Sequence, residues 1–237
     1  MSEFNSQVYT ESQDGLRAYI LKVFSRMGWG LLITAGVAYL FNVLLSTGSE
    51  AAAGVYMIFA MVCLVAELII AFTLSLRLNK MSLQTATILF YAYAAVTGVS
   101  FAAIFTIYTS SEIFISFLFT AVLFFSCVAI GHTTKVDLSK FAGIMLGGLI
   151  TLLILSVAAW FIPALRNSLM VSYIGVILFC ALTAWDMQKI KSYYYGLSGD
   201  EVMRSKMSIM SAFQLYLDFI NLFLYVLRIV SNSRNRN

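Results

Sequence analysis

The chain has 237 residues, of which 61% are apolar and 11% charged. That excludes a disordered chain and a soluble domain, because the first needs low hydrophobicity and the second a charged surface. The formal net charge of +4 would hint at nucleic acid in a soluble protein, but here most Lys and Arg fall between apolar runs, as membrane orientation requires.

The opening residues are polar and carry Glu3, Glu11 and Asp14. They lack the basic start and short apolar stretch of a cleaved signal peptide, so the first apolar helix is expected to persist. Seven apolar segments follow, at 24–45, 51–76, 83–108, 113–130, 141–162, 169–186 and 209–230. Each approaches or exceeds the roughly 20 residues of a spanning helix, about twice a membrane strand, and none alternates as a barrel strand would. Helices also satisfy their own backbone hydrogen bonds in lipid. The fold class is therefore an all-α integral membrane protein. Residues 1–23 form a polar cytoplasmic segment, 24–230 the transmembrane domain and 231–237 a short polar tail.

Small residues at 143–148 (GIMLGG) suit close helix contact. Pro163 is expected to stop the fifth helix. The stretch 187–206 is the longest internal polar loop, and GHTTKVDLSK at 131–140 is a shorter one. Trp29, Trp160 and Trp185 fall near expected helix ends, as interfacial aromatics do. Cys63, Cys127 and Cys180 lie inside apolar runs and read as small buried hydrophobes, not as a disulfide or metal framework.

Arg17, Lys22 and Arg26 precede the first helix. Arg77 and Lys80 follow the second, Lys135 and Lys140 the fourth, and Lys189, Lys191, Arg204 and Lys206 lie between the sixth and seventh. The alternate connections hold Glu50, Glu112 and the single Arg166. The N-terminus and the even-numbered connections thus read as cytoplasmic. Arg228, Arg234 and Arg236 conflict with that pattern. Either the seventh helix crosses against the charge bias, or it is a re-entrant segment covered by protein or water.

Three acids inside apolar runs carry the functional reading: Glu67 in the second helix, Asp186 at the end of the sixth and Asp218 deep in the last. A carboxylate facing lipid costs several kcal/mol or more, so these groups should face the bundle interior or a wet cavity. A buried structural hydrogen bond is the simpler role for each, most of all for Glu67. Two converging carboxylates share a proton more readily than both ionise, and such a pair can respond to pH in the neutral range. Deprotonated, it presents the hard oxygens that Ca²⁺ prefers. A guanidinium can compete with the ion as a built-in counter-charge. Arg77 is the nearest helix-edge candidate, ten residues and close to three turns from Glu67. His132 stands alone and reads as an ordinary polar residue. No hydrolase elbow, HExxH or phosphate-binding loop occurs. An intramembrane aspartyl protease also uses two membrane aspartates, but its YD and GxGD contexts are replaced here by Trp185-Asp186 and Leu217-Asp218. The chain is not expected to be an enzyme.

The stretches LYLDFINLFLYVLRI (215–229), LTAWDMQKIK (182–191), GHTTKVDLSKF (131–141) and TATILFYAYAAVTGVSFAAIF (85–105) resemble the Bax-inhibitor family, also called the transmembrane Bax-inhibitor-motif family, in its bacterial branch. The resemblance covers 18–229, with Trp185 and His132 each standing where the family pattern has Tyr. It implies a seven-helix bundle with the last helix central, and a pH-sensitive calcium leak channel of the bacterial inner membrane. It also implies a pH sensor at Asp186 and Asp218, a closed-state bridge from Arg77 to Asp186, and an ion path past Glu67 and Asp218. Calcium would be the transported species, held transiently by Asp186 and Asp218, with no resident cofactor. The expected partners are the lipid bilayer, calcium ions, protons and a membrane protein, and not nucleic acid. Two other readings stay open: a proton-coupled cation exchanger, and a non-transporting interaction protein that modulates stress response or protein quality control.

Overall fold

The computed structural model describes residues 2–48, 50–159, 161–162 and 168–234. The expectations that fall on Trp160, Pro163, Arg166 and Arg236, and on the side chains of Glu3, Glu11 and Glu50, lie outside them. Among the described residues the long elements are all helices and no strand occurs. They are α1 (Ser2–Thr47), α2 (Glu50–Arg77), α3 (Leu83–Phe101), the single turn α4 (Ile104–Ile107), α5 (Ser110–Thr133), α6 (Ala142–Ala158), α7 (Leu169–Gly196) and α8 (Glu201–Arg234). Seven spans are long and apolar enough to cross a bilayer, with α3 and α4 forming one of them. The chain is an all-α, seven-helix transmembrane bundle.

Local chemistry sets several boundaries. Thr109 and Glu112 form a reciprocal capping box at the start of α5, and Ser82 caps α3 by accepting from the amide of Thr85. The polar stretch 187–206 is mostly helical, because α7 continues to Gly196 and α8 begins at Glu201, leaving only 197–200 as connection. Apolarity marks where lipid begins, whereas hydrogen bonding carries a helix on into water. α8 is one unbroken helix of 34 residues, about 51 Å long, so the last helix is not a re-entrant segment. Half of its most apolar window is buried, against 11–39% for the others, in keeping with an inner helix.

The helices divide between two compact units. The first comprises residues 1–107 and 190–216, the second 108–189 and 217–237. In the first, α1 and α2 both pack on α3. Its core is aromatic: Phe90, Tyr93, Phe213 and Tyr216 meet edge-to-face at centroid distances of 5.0–6.0 Å. The buried Thr34 and Tyr216 hydroxyls are satisfied in place, with Thr34 donating to the Ala94 carbonyl at 2.9 Å and lying 2.8 Å from the Tyr216 hydroxyl.

The second unit is seamed by close backbone approach of α5 to α7. A Cβ placed on Gly131 would stand 2.2 Å from the carbonyl oxygen of Ala184. One turn earlier on both helices, the thiols of Cys127 and Cys180 meet across the same seam. Both are free thiols, Cys127 buried and Cys180 half-buried. The GIMLGG stretch contributes less than expected. Gly143 and Gly147 face open space, and only Gly148 touches a neighbour, the Leu178 side chain.

Candidate functional site

Asp186 and Asp218 both belong to the second unit and are both 6% exposed. Each sits where helical periodicity turns it inward: Asp186 between buried Ala184 and Met187 on α7, and Asp218 among buried Tyr216, Phe219 and Ile220 on α8. They lie within electrostatic reach of each other. Lys189, one turn after Asp186, pairs with its Oδ1 at 2.5 Å. The same ammonium lies 4.3 Å from the centre of the Trp185 ring and acts electrostatically on Asp218. Asp218 adjoins the hydroxyl of Thr183, whose proton is given to the Phe179 carbonyl at 2.7 Å. Among the described residues Oδ2 of Asp218 has no hydrogen-bond partner. The arrangement is a buried Asp186–Lys189 ion pair with a second buried carboxylate, Asp218, within electrostatic reach.

Gln188 ties this end of α7 to the connection after α5. Its amide nitrogen donates to the Val136 carbonyl at 2.7 Å, and its oxygen accepts from the Leu138 amide at 3.0 Å. The Asp-x-Gln pattern thus places a carboxylate and a loop clamp two residues apart on one helix. His132 is exposed in the last turn of α5 and does not open a loop.

Glu67 and Arg77 belong to the first unit. Glu67 is half-buried and accepts a hydrogen bond from Ser100 at 2.7 Å. Arg77 is exposed in the last turn of α2, where a cation complements the helix dipole. At the far end of α8, Arg234 donates to the hydroxyls of Thr109 at 3.0 Å and Ser111 at 3.2 Å. The last helix therefore ends beside the start of α5, which gives its positive charge polar partners.

Sequence reasoning missed Lys189, Ser100 and Gln188 as partners. The Asp186–Lys189 spacing of three was a visible signal for an intrahelical pair. Ser100 and Gln188 act across helices and had no comparable local signal. Among the described residues no group of three or more His, Cys, Asp or Glu converges to hold a metal ion.

Seven apolar spans and a carboxylate pair buried between helices define a polytopic membrane protein with ionisable groups inside its bundle. Comparison with known proteins narrows this. Residues 16–235 match the family described as inhibitor of apoptosis-promoting Bax1, and the chain belongs to that family, in its bacterial branch. It is 38% identical over 229 residues to an uncharacterized protein of Rickettsia prowazekii, an alignment covering 94% of this chain and 92% of the relative. It is 36% identical over 233 residues to the inner membrane protein YbhL of Escherichia coli K12, covering 97% of each. A protein of Borreliella burgdorferi is 36% identical over 222 residues, covering 92% of this chain and 93% of the relative.

Proposed function

We propose that this protein is a pH-gated leak for calcium ions in the bacterial inner membrane. The observation that supports the reading is that Asp186 and Asp218 are both buried and within electrostatic reach of each other, with Lys189 as the counter-charge on Asp186. Protonation would neutralise the pair and remove the oxygens that attract a divalent cation. Loss of the proton would restore them. Oδ2 of Asp218 is the oxygen free to change partner. Glu67 lines the ion path, with Ser100 orienting it. Arg77 competes with the cation for Asp186 in a closed state, a role that Lys189 already fills in part from the same helix. The name of the Escherichia coli relative supports the inner membrane as the location. In this reading residues 1–23 face the cytoplasm, 24–230 form the membrane domain and 231–237 a short polar tail.

The test is purified protein in sealed liposomes loaded with a calcium dye, assayed between about pH 5 and pH 8. Calcium entry should exceed that of empty liposomes and vary with pH, and Asp218→Asn should flatten the pH response. Entry equal to empty liposomes at every pH would overturn the reading. An imposed proton gradient that drives calcium uphill would replace the leak with an exchanger.

A further inference from the structure

The first unit holds a cavity of about 310 Å³ that the carboxylate chemistry does not use. Its walls come from α1 at Gly15 to Lys22, the end of α7 at Tyr194, and the first turns of α8 (Glu201 to Ser208). We propose that this cavity binds a phosphate group, as the headgroup of an anionic phospholipid or as a free phosphate anion.

The charge balance at the cavity is positive. Lys22 and Arg204 line it. Arg26, one turn beyond Lys22 on α1, is half-buried behind it and donates to the Ser208 hydroxyl and to the Ser205 carbonyl at 3.3 Å. Three nearby acids do little to offset these cations. Glu201 pairs with Arg204 at 3.1 Å, but its side chain is 85% exposed, and such pairs are weak in water. Asp200 accepts from the Met203 amide at 2.8 Å as part of the helix start. Asp14 is exposed beside Gly15, three residues before the exposed Arg17.

The polar lining suits a tetrahedral anion. Ser205 and Tyr194 contribute hydroxyls to the lining, while the Ser208 hydroxyl donates to the Ser205 carbonyl at 2.7 Å and the Tyr19 hydroxyl to the Arg204 carbonyl at 3.3 Å; the Tyr19 and Tyr194 ring centres are 5.6 Å apart. Gly15 shapes the opening: a Cβ there would stand 2.1 Å from the Tyr194 hydroxyl. The volume falls at the lower end of the range for small-molecule sites, about 300–1,000 Å³. The span in α1 has 35 residues and α8 has 34, about 52 and 51 Å, against a hydrocarbon core of about 30 Å, so both helices are long enough to extend beyond the core.

The experiment uses the full chain in detergent, stripped of lipid. Phosphatidylglycerol and phosphatidylcholine are titrated with native mass spectrometry as readout, and inorganic phosphate with thermal stability as readout. Lys22→Gln and Arg204→Gln should each weaken binding about fivefold, while Lys140→Gln, an exposed cation of the other unit, should not. Gly15→Ala keeps every charge and should also weaken binding by pushing Tyr194 into the cavity. Preference for phosphatidylglycerol with these losses assigns the lipid as source. Stabilisation by inorganic phosphate without lipid preference assigns the free anion. Losses equal to those of Lys140→Gln, or no effect of either ligand, overturn the proposal.

Discussion

The second and the seventh spans invert the rule that governs soluble proteins. The span at Gly54–Lys80 has a mean hydropathy of 2.6 and only 11% of its window buried. The span at Glu201–Arg234 has a mean hydropathy of 1.5 and 50% buried. In water the apolar face turns inward. In a bilayer the solvent is itself apolar, so exposed Met57, Ile58 and Leu76 are already in a favourable medium. What must be hidden is polarity, and the last span hides Ser208, Ser211 and Asp218. Burial here follows the need to keep polar groups out of lipid and to pack shapes, not hydrophobicity.

Four substitutions or conditions sharpen or break that contrast. The largest effect is expected at Phe213, 1% exposed against Phe90 and Tyr93. Phe213→Ala should lower stability by about 3–5 kcal/mol, measured by unfolding in mixed micelles. Ile69→Ala on the second span, 61% exposed, should stay within about 0.5 kcal/mol. Equal losses at the two sites would mean that burial does not set the energetics. Next comes the seam of α5 and α7. Gly131→Ala must push Ala184 backbone aside and should cost about 1–3 kcal/mol, whereas Gly143→Ala meets nothing and should leave the melting temperature unchanged or slightly raised. A tolerated Gly131→Ala would show that the helices are farther apart than the structure has them. Ser100→Ala removes the donor to Glu67 and should cost about 1 kcal/mol, while Ser100→Thr should retain most of the stability.

The smallest effect lies outside the spans, where water's rules return. Asp137 accepts from the Ser139 hydroxyl at 2.6 Å and its amide at 3.0 Å, and these bonds hold its carboxyl below the ordinary value of 3.8. A depressed carboxyl stabilises the turn above its unfolded value and loses that contribution as pH falls through the lower folded one. The protection of the Ser139 amide against exchange should therefore fall, and its rate approach the intrinsic one, only in strong acid. Protection unchanged down to the lowest pH at which the protein stays folded would show that the carboxyl does not hold the turn.

The number of spans and the helical class were legible because apolar length is a direct signature of the bilayer core. The ends were not: 187–206 reads as polar loop, yet hydrogen bonding extends α7 and α8 through it until only four residues remain between them. Asp186 and Asp218 stood out because a carboxylate in an apolar run is costly without a partner. The contacts that tie polar groups and helices together were harder to see. Lys189 is readable from helical spacing, but Ser100, Gln188 and the contact of Gly131 with Ala184 depend on which faces meet, and small-residue patterns alone pointed to 143–148 instead.

The four-residue connection at 197–200 also bears on how the protein is made. Six spans precede α8 in the chain, and α8 is among the least apolar of the seven. Alone, a helix carrying Asp218 would partition poorly into lipid. Tethered this tightly to α7, it can enter the bilayer as the second arm of a helical hairpin. Asp186 and Lys189 are then already in place on the first arm to receive it. Lengthening 197–200 should leave the fold's contacts intact yet delay membrane integration of the last span during synthesis, so the turn would matter most before the protein is complete.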